Sequence, residues 1–225
     1  MNHLPFEVCN LSADKKVLIK TLKTNIKSKA YDMTDMTPEA QFDNFFALFE
    51  QPVQFEVQQD RLDQHLRLLQ KQYHPDNVAK NLADTKQAQQ HSEQASALIN
   101  QAYQTLSAPD SRASYLLEMA GQAQNLEHSI ADLDFLEDAM QMRMDLDDAI
   151  IDKDRLVLQQ LHPQIVERLI KQSERFSHAY QNKDWQTAID ATQKLKFLVK
   201  LNADVTTGLD EVSTAHQADD DDLYV

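Results

Sequence analysis

The sequence predicts an all-α fold with two helical domains. Only two glycines and six prolines occur among its 225 residues, and helix-forming residues dominate. The alternating β-branched runs that are typical of strands are nearly absent. A polar connector at residues 122–128 separates two stretches of helical periodicity, and the length fits one or two domains.

The composition excludes several classes of function. Dinucleotide-binding loops and P-loops need closely spaced glycines, whereas Gly121 and Gly208 are far apart. The formal net charge of −14 disfavours nucleic acid as a partner. We find no run of 18 apolar residues, no secretory signal and, with a single Cys9, no CxxC metal site. We therefore expect a cytoplasmic protein without a membrane partner, metal or cofactor.

Residues 1–40 form an N-terminal extension that we expect to be dispensable. Residues 1–35 carry six lysines and four acidic residues, whereas the rest of the chain is strongly acidic. Three interpretations of this segment stay open: a tail, a targeting helix, or upstream sequence read through from a wrong start. The third is available because Met33 and Met36 are both possible starts.

The first domain is predicted at residues 41–121. An apolar cluster at 45–49 precedes a helix at 57–73, which places Arg67 and Lys71 opposite its apolar face. A second helix runs from a capping box at Asp84 to about residue 106, and a short third helix ends at Gly121.

A linker at 122–130 leads to a three-helix domain at 131–212, followed by an acidic tail at 213–225. The three helices are predicted at about 131–151, 153–181 with an interruption at Pro163, and 184–212. The first of them is apolar on two sides. One side, suited to a core, consists of Phe135, Ala139, Met142, Leu146 and Ile150; the other consists of Leu133, Leu136, Met140 and Met144. Because ordinary three-helix packing also gives a wide apolar arc, periodicity alone does not decide whether the second side binds a partner.

The tripeptide His74-Pro75-Asp76 lies between the two long helices of the first domain. Pro75 stops the preceding helix, and Asp76 can accept bidentate bonds from an arginine. A bare tripeptide is most often a solvated turn. A catalytic His–Asp pair would need a nucleophile, and His65, His74 and His91 lack metal-ligand spacing. We therefore predict no catalytic residues and no metal site.

The arrangement around the tripeptide resembles a J-domain. A helix with a basic face precedes it, and a long helix containing Ile99-Asn100-Gln101-Ala102-Tyr103 follows. Further stretches resemble the HscB family of iron–sulphur co-chaperones, bacterial type: the segments 72–76, 99–106 and 112–117, then Phe135-Leu136, Arg143, Leu146, Trp185 and 194–198. Asn77 departs from the lysine usual in the class, and the cysteine pairs of mitochondrial relatives are missing.

The resemblance implies a non-enzymatic co-chaperone with two binding surfaces. The J-domain would stimulate ATP hydrolysis by a dedicated HscA-like chaperone of the DnaK type through Arg67, Lys71, His74, Pro75 and Asp76. The C-terminal domain would bind and deliver an IscU-like iron–sulphur scaffold protein. The residues implied for this second surface are Leu136, Met140, Met144 and Phe197. A general J-domain protein with another client, and a purely structural helical protein, are the alternatives.

Overall fold

The computed structural model describes residues 43–74, 85–126 and 130–221. In these ranges the chain forms seven α-helices, one 3-10 turn and no strand, which confirms the all-α prediction. The helices are α1 (Phe45–Leu48), α2 (Gln59–Gln72), α3 (Thr85–Ser107), α4 (Pro109–Met119), α5 (Leu133–Ile151), α6 (Arg155–Gln181) and α7 (Trp185–Asp221). The Asp84 capping box lies outside the described residues.

The first compact unit contains α1, nearly all of α2, and α3 as far as Tyr103. Asn44 is the N-cap of α1, and its side chain accepts a hydrogen bond of 2.8 Å from the Ala47 N–H. The apolar face predicted for α2 is buried at Leu62 and Leu69, as are the following Tyr73 and the α3 side chains Ala95, Ile99 and Ala102.

The second compact unit contains Val53–Gln59 and the described residues from Gln104 onward. Arg112 of α4 is buried, and its guanidinium lies 4.8 Å above the Phe55 ring while it donates to the Leu106 and Ser107 carbonyls. Desolvation by burial lowers the pKa of Arg112 to about 10. The Phe55 ring also packs against Phe176, with centroids 4.7 Å apart. Residues 104–121, part of the predicted first domain, thus group with the second compact unit.

The helices α5, α6 and α7 pack around one core that includes Leu146, Leu158, Ile165, Leu198 and Val205. An aspartate precedes and caps each of the three: Asp132 accepts from the Phe135 N–H, Asp154 from the N–H groups of Leu156 and Val157, and Asp184 from the Thr187 N–H. The apolar residues that recur along the three predicted helices therefore form one continuous core.

Two predictions about the helices of the C-terminal domain differ from the structure. The interruption at Pro163 is wrong, because α6 continues through it. Proline removes one helical hydrogen bond, but Leu161 and Ile165 on either side are buried in the core and hold the segment helical. The helix α7 also passes the predicted end at 212, since Val212 is buried and the Ser213 hydroxyl donates to the Leu209 carbonyl at 2.7 Å.

Candidate functional sites

The outer face of α2 carries the basic side chains singled out by the sequence. Arg67 and Lys71 are exposed, and so is His74, two residues beyond the end of α2. Pro75 and Asp76 lie outside the described residues. An exposed Leu68 lies one residue from Arg67 and three from Lys71, so the face is not purely charged. The structure thus brings three of the five predicted residues to the last turns of one helix and the chain just after it.

The residue just before His74 is held by a buried hydrogen bond from α3. Ser92 of α3 is buried, and its hydroxyl donates to the Tyr73 carbonyl at 2.7 Å. The Tyr73 N–H donates to the Leu69 carbonyl at 2.9 Å, and burial raises the pKa of the Tyr73 phenol. Because Tyr73 is tethered on both sides, the chain enters the tripeptide from a fixed point.

A second hydrogen bond joins α2 and α3 farther from the tripeptide. The Tyr103 hydroxyl donates to Asp63 Oδ1 at 2.9 Å, and the Tyr103 ring lies 6.3 Å from that of Phe49. Sequence reasoning did not single out Ser92. It falls three residues before Ala95 and seven before Ile99, so a polar side chain on the apolar stripe of α3 was the available signal.

The apolar patch, which we define as Leu136, Met140 and Met144 of α5 with Phe197 of α7, lies outside the core of the second unit. Met140 and Met144 are 65% and 58% exposed, and Leu133 on the same side of α5 is 76% exposed. Leu136 and Phe197 are half-buried. Such large exposed apolar side chains on one helix face are typical of a surface that binds a partner.

The opposite side of α5 forms the core, as its periodicity predicts. Ala139, Met142 and Leu146 are buried, and Phe135 and Ile150 are packed against the core at its edge. The two apolar sides of α5 thus have different environments, and the exposed one is the side that three-helix packing does not use.

Ion pairs join α5 to both of its neighbouring helices. Arg168 of α6 donates to both carboxylate oxygens of Asp138, at 2.8 and 3.0 Å. Arg143 pairs with Asp147 and with Asp204 of α7, and the hydrogen bonds that it donates to those carboxylates raise the pKa of its guanidinium. Arg143 therefore joins α5 to α7 rather than standing free at the surface.

Within the three described ranges we find no group of three or more histidine, cysteine, aspartate or glutamate side chains placed to hold a metal ion. A groove of about 480 Å³ between α5 and α6 is lined by aspartates, of which Asp138 is paired with Arg168 and Asp145 accepts from Gln141. None of the helices in those ranges is both long and apolar enough to span a membrane.

A helical hairpin whose first helix has a basic face and ends beside His74 matches the arrangement expected for a J-domain. Comparison with known proteins agrees, because residues 52–115 match the DnaJ domain. Residues 131–206 match the HSCB C-terminal oligomerisation domain, which covers most of α5, α6 and α7. The J-domain is therefore followed by a C-terminal helical domain of HscB type.

Individual relatives identify the family. The chain is 34% identical over 181 residues to the co-chaperone protein HscB homolog of Acinetobacter baumannii (strain SDF), covering 80% of this chain and 96% of the relative. The solved structure of chaperone HscB from Vibrio cholerae is 32% identical, with a TM-score of 0.61 over 75% of this chain and 99% of that one. The human co-chaperone HscB, 23% identical with a TM-score of 0.60, covers 76% and 87% and shares the fold.

The chain belongs to the HscB family of co-chaperones. Its function lies in iron–sulphur cluster biogenesis, as a J-domain protein that works with a chaperone of the DnaK type and a scaffold-type partner. This confirms the family and fold expected from the sequence. The roles of the individual residues on the two surfaces stay predictions.

Proposed function

We propose that this co-chaperone stimulates ATP hydrolysis by a dedicated HscA-like chaperone and delivers an IscU-like scaffold protein to it. The tripeptide His74-Pro75-Asp76, with Arg67 and Lys71, is the chaperone-binding surface in this proposal. The apolar patch is the scaffold-binding surface. The protein carries no catalytic residues or cofactor of its own and acts in the cytoplasm.

The observation that carries the proposal is the exposure of Met140 and Met144. Both side chains lie on the surface of a helix whose other side is already buried. Methionine is flexible and polarizable, which suits a surface that must adapt to a protein partner. The half-buried Leu136 and Phe197 extend the patch at its inner edge. Removing water from this surface would supply binding energy.

The chaperone-binding surface works differently. Exposed arginine, lysine and histidine side chains on one side of the hairpin attract a complementary acidic surface and fix its orientation. The scaffold and the chaperone are then held by one polypeptide, which raises the effective concentration of one at the other. A co-chaperone needs no chemistry at either surface to accelerate delivery.

The proposal is tested by titrating the cognate scaffold protein into the full chain and into Met140→Ala. Because anchors of an interface often contribute about 2 kcal/mol or more each, we expect the Kd to rise severalfold or more. Ile151→Ala and Leu156→Ala are matched controls, since these side chains are 76% and 70% exposed in the same unit but lie off the patch. The scaffold should bind both controls as it binds the unmodified chain.

Three results would contradict the proposal. Normal scaffold affinity of Met140→Ala and Met144→Ala would move the binding surface elsewhere. Equal losses in the patch variants and in the two controls would show that any exposed apolar side chain matters. If the scaffold fails to bind the unmodified chain while another client does, the protein is a general J-domain co-chaperone.

A further inference from the structure

A buried lysine of α7, Lys194, lies against the start of α5. Lys194 of α7 is 1% exposed and occupies a position in the buried stripe that includes Ala191, Leu198 and Leu201. Its Nζ lies 2.6 Å from Asp132 Oδ2 and 2.9 Å from Asp190 Oδ2. An ammonium group taken out of water must be paired, and here two carboxylates share that role.

Asp132 uses its two carboxylate oxygens for different purposes. Its Oδ1 caps α5 by accepting the Phe135 N–H at 3.0 Å, while its Oδ2 accepts from Lys194. The hydrogen bond from Lys194 is the main reason why the pKa of Asp132 is lowered, and the Phe135 N–H adds to it. A single carboxylate therefore joins the first turn of α5 to the third turn of α7.

The same ammonium group also contacts an aromatic side chain of α5. The Lys194 Nζ lies 5.3 Å from the centroid of the Phe135 ring, within the range of a cation–π contact. The Phe135 ring in turn meets Phe197 edge to face, with centroids 6.2 Å apart and planes at 81°. Phe135 precedes Leu136, and Phe197 lies one turn after Lys194 on α7.

The second half of α5 is held by buried side chains and by the ion pair between Arg143 and Asp204. Met142, Leu146 and Ala149 are buried in the core and fix that part of the helix. In the first turn, Leu133 and Asp134 are exposed and Leu136 is only half-buried. The contacts of Lys194 with Asp132 and Phe135 are thus placed where apolar packing of α5 is thinnest.

We propose that Lys194 and Asp132 are positioning residues for the apolar patch. They hold the first turns of α5 against α7, so that Phe135 of α5 and Phe197 of α7 already meet edge to face, with Leu136 next to Phe135 in the chain, before a scaffold protein arrives. A partner that meets a preformed surface does not have to order it, which strengthens binding. The inference rests on the proposed function of the patch.

Asp132→Asn is the most selective test. Asparagine is as good an N-cap as aspartate, so the cap is kept and only the charge opposite Lys194 is lost, while Asp190 still pairs the lysine. We expect the Kd for the cognate scaffold protein to rise about three- to tenfold, as for residues that act through others. Asp154→Asn, the same change at the cap of α6, is the matched control and should bind normally.

A spectroscopic measurement separates positioning from loss of fold. In methyl-labelled methionine NMR of the full chain, Asp132→Asn should shift the Met140 signal, while the buried Met142 signal and the melting temperature stay nearly unchanged. Lys194→Met should weaken binding to a similar degree. In the double variant the two losses of affinity should not add, because both changes break the same contact, that between Lys194 and Asp132.

The outcomes distinguish the two proposals. If Met140→Ala binds the scaffold normally, the proposed function fails. If Met140→Ala weakens binding while Asp132→Asn and Lys194→Met bind as the unmodified chain does, the positioning role is overturned and the patch stands. Equal losses in Asp132→Asn and Asp154→Asn would also overturn it, since capping alone would then explain the effect.

Discussion

The hairpin of the J-domain and the bundle of the C-terminal domain present opposite kinds of surface. Arg67, Lys71 and His74 are polar side chains on a hairpin that two side-chain hydrogen bonds, from Ser92 and Tyr103, tie together. The apolar patch lies on a bundle with a large core of its own. A charged surface is stable in water, whereas an exposed apolar one persists only where a separate, complete core lies beneath it.

The largest effect expected is on the hairpin side of this comparison. His74→Gln and Asp76→Asn should each lower chaperone ATPase stimulation by at least about tenfold, as for hot-spot residues of an interface. Because His74 is exposed, its substitution should change the free energy of unfolding by only about 0.5 kcal/mol or less. Circular dichroism melts and a steady-state ATPase assay check both statements. Stimulation that survives both changes would contradict the role of the tripeptide.

The next prediction compares a substitution in the core with one in the apolar patch. Leu146→Ala should lower the free energy of unfolding by about 2–5 kcal/mol, because the side chain is completely buried. Met140→Ala, on the other side of the same helix, should leave the melting temperature nearly unchanged. Denaturant titrations of the two variants make the comparison. An early-melting Met140→Ala that still binds scaffold would show that the patch belongs to the core.

Salt should affect the two surfaces differently. Arg67→Ala and Lys71→Ala should each reduce chaperone stimulation about two- to fivefold at low ionic strength, which is the scale of exposed charge pairs. The effect should shrink as salt increases, because charges are screened over about 10 Å at 0.1 M and about 3 Å at 1 M. Scaffold binding through an apolar patch should change little over the same range. Equal salt dependence of both interactions would remove the contrast.

The smallest effect is expected from the N-terminal extension. Deleting residues 1–35 should leave both scaffold binding and chaperone stimulation as in the full chain, because the matched J-domain begins at residue 52. The two assays above serve for this comparison. A deletion variant that unfolds or loses either activity would show that the extension is part of the working protein.

Much of the fold could be predicted from the sequence because it follows from local periodicity. The two sides of α5 are an example, since 100° per residue separates Leu146 from Met140 without knowledge of the neighbours. Whether the second side is also buried is settled only by packing with α6 and α7. At Pro163 the local pattern was misleading. Proline disfavours a helix interior, but the buried Leu161 and Ile165 on either side keep the segment helical.

The candidate sites were predictable where a motif marks them and not where long-range contacts make them. His74 stands in a tripeptide that sequence reasoning finds directly. Lys194 was noticed only as part of a family-like stretch, although its position in the buried stripe of α7 was a signal for a paired charge. Its partner Asp132 lies 62 residues earlier in the chain. No periodicity connects two such residues before the helices are placed.

Steady-state ATPase of the cognate chaperone tests the central claim most directly, with this protein and the scaffold added separately and together. We expect stimulation by the co-chaperone alone and greater than additive stimulation with the scaffold. Met140→Ala should keep the first and lose most of the second, whereas His74→Gln should lose both. If Met140→Ala retains the full combined effect, or if the scaffold adds nothing to the unmodified protein, the two surfaces do not cooperate as proposed.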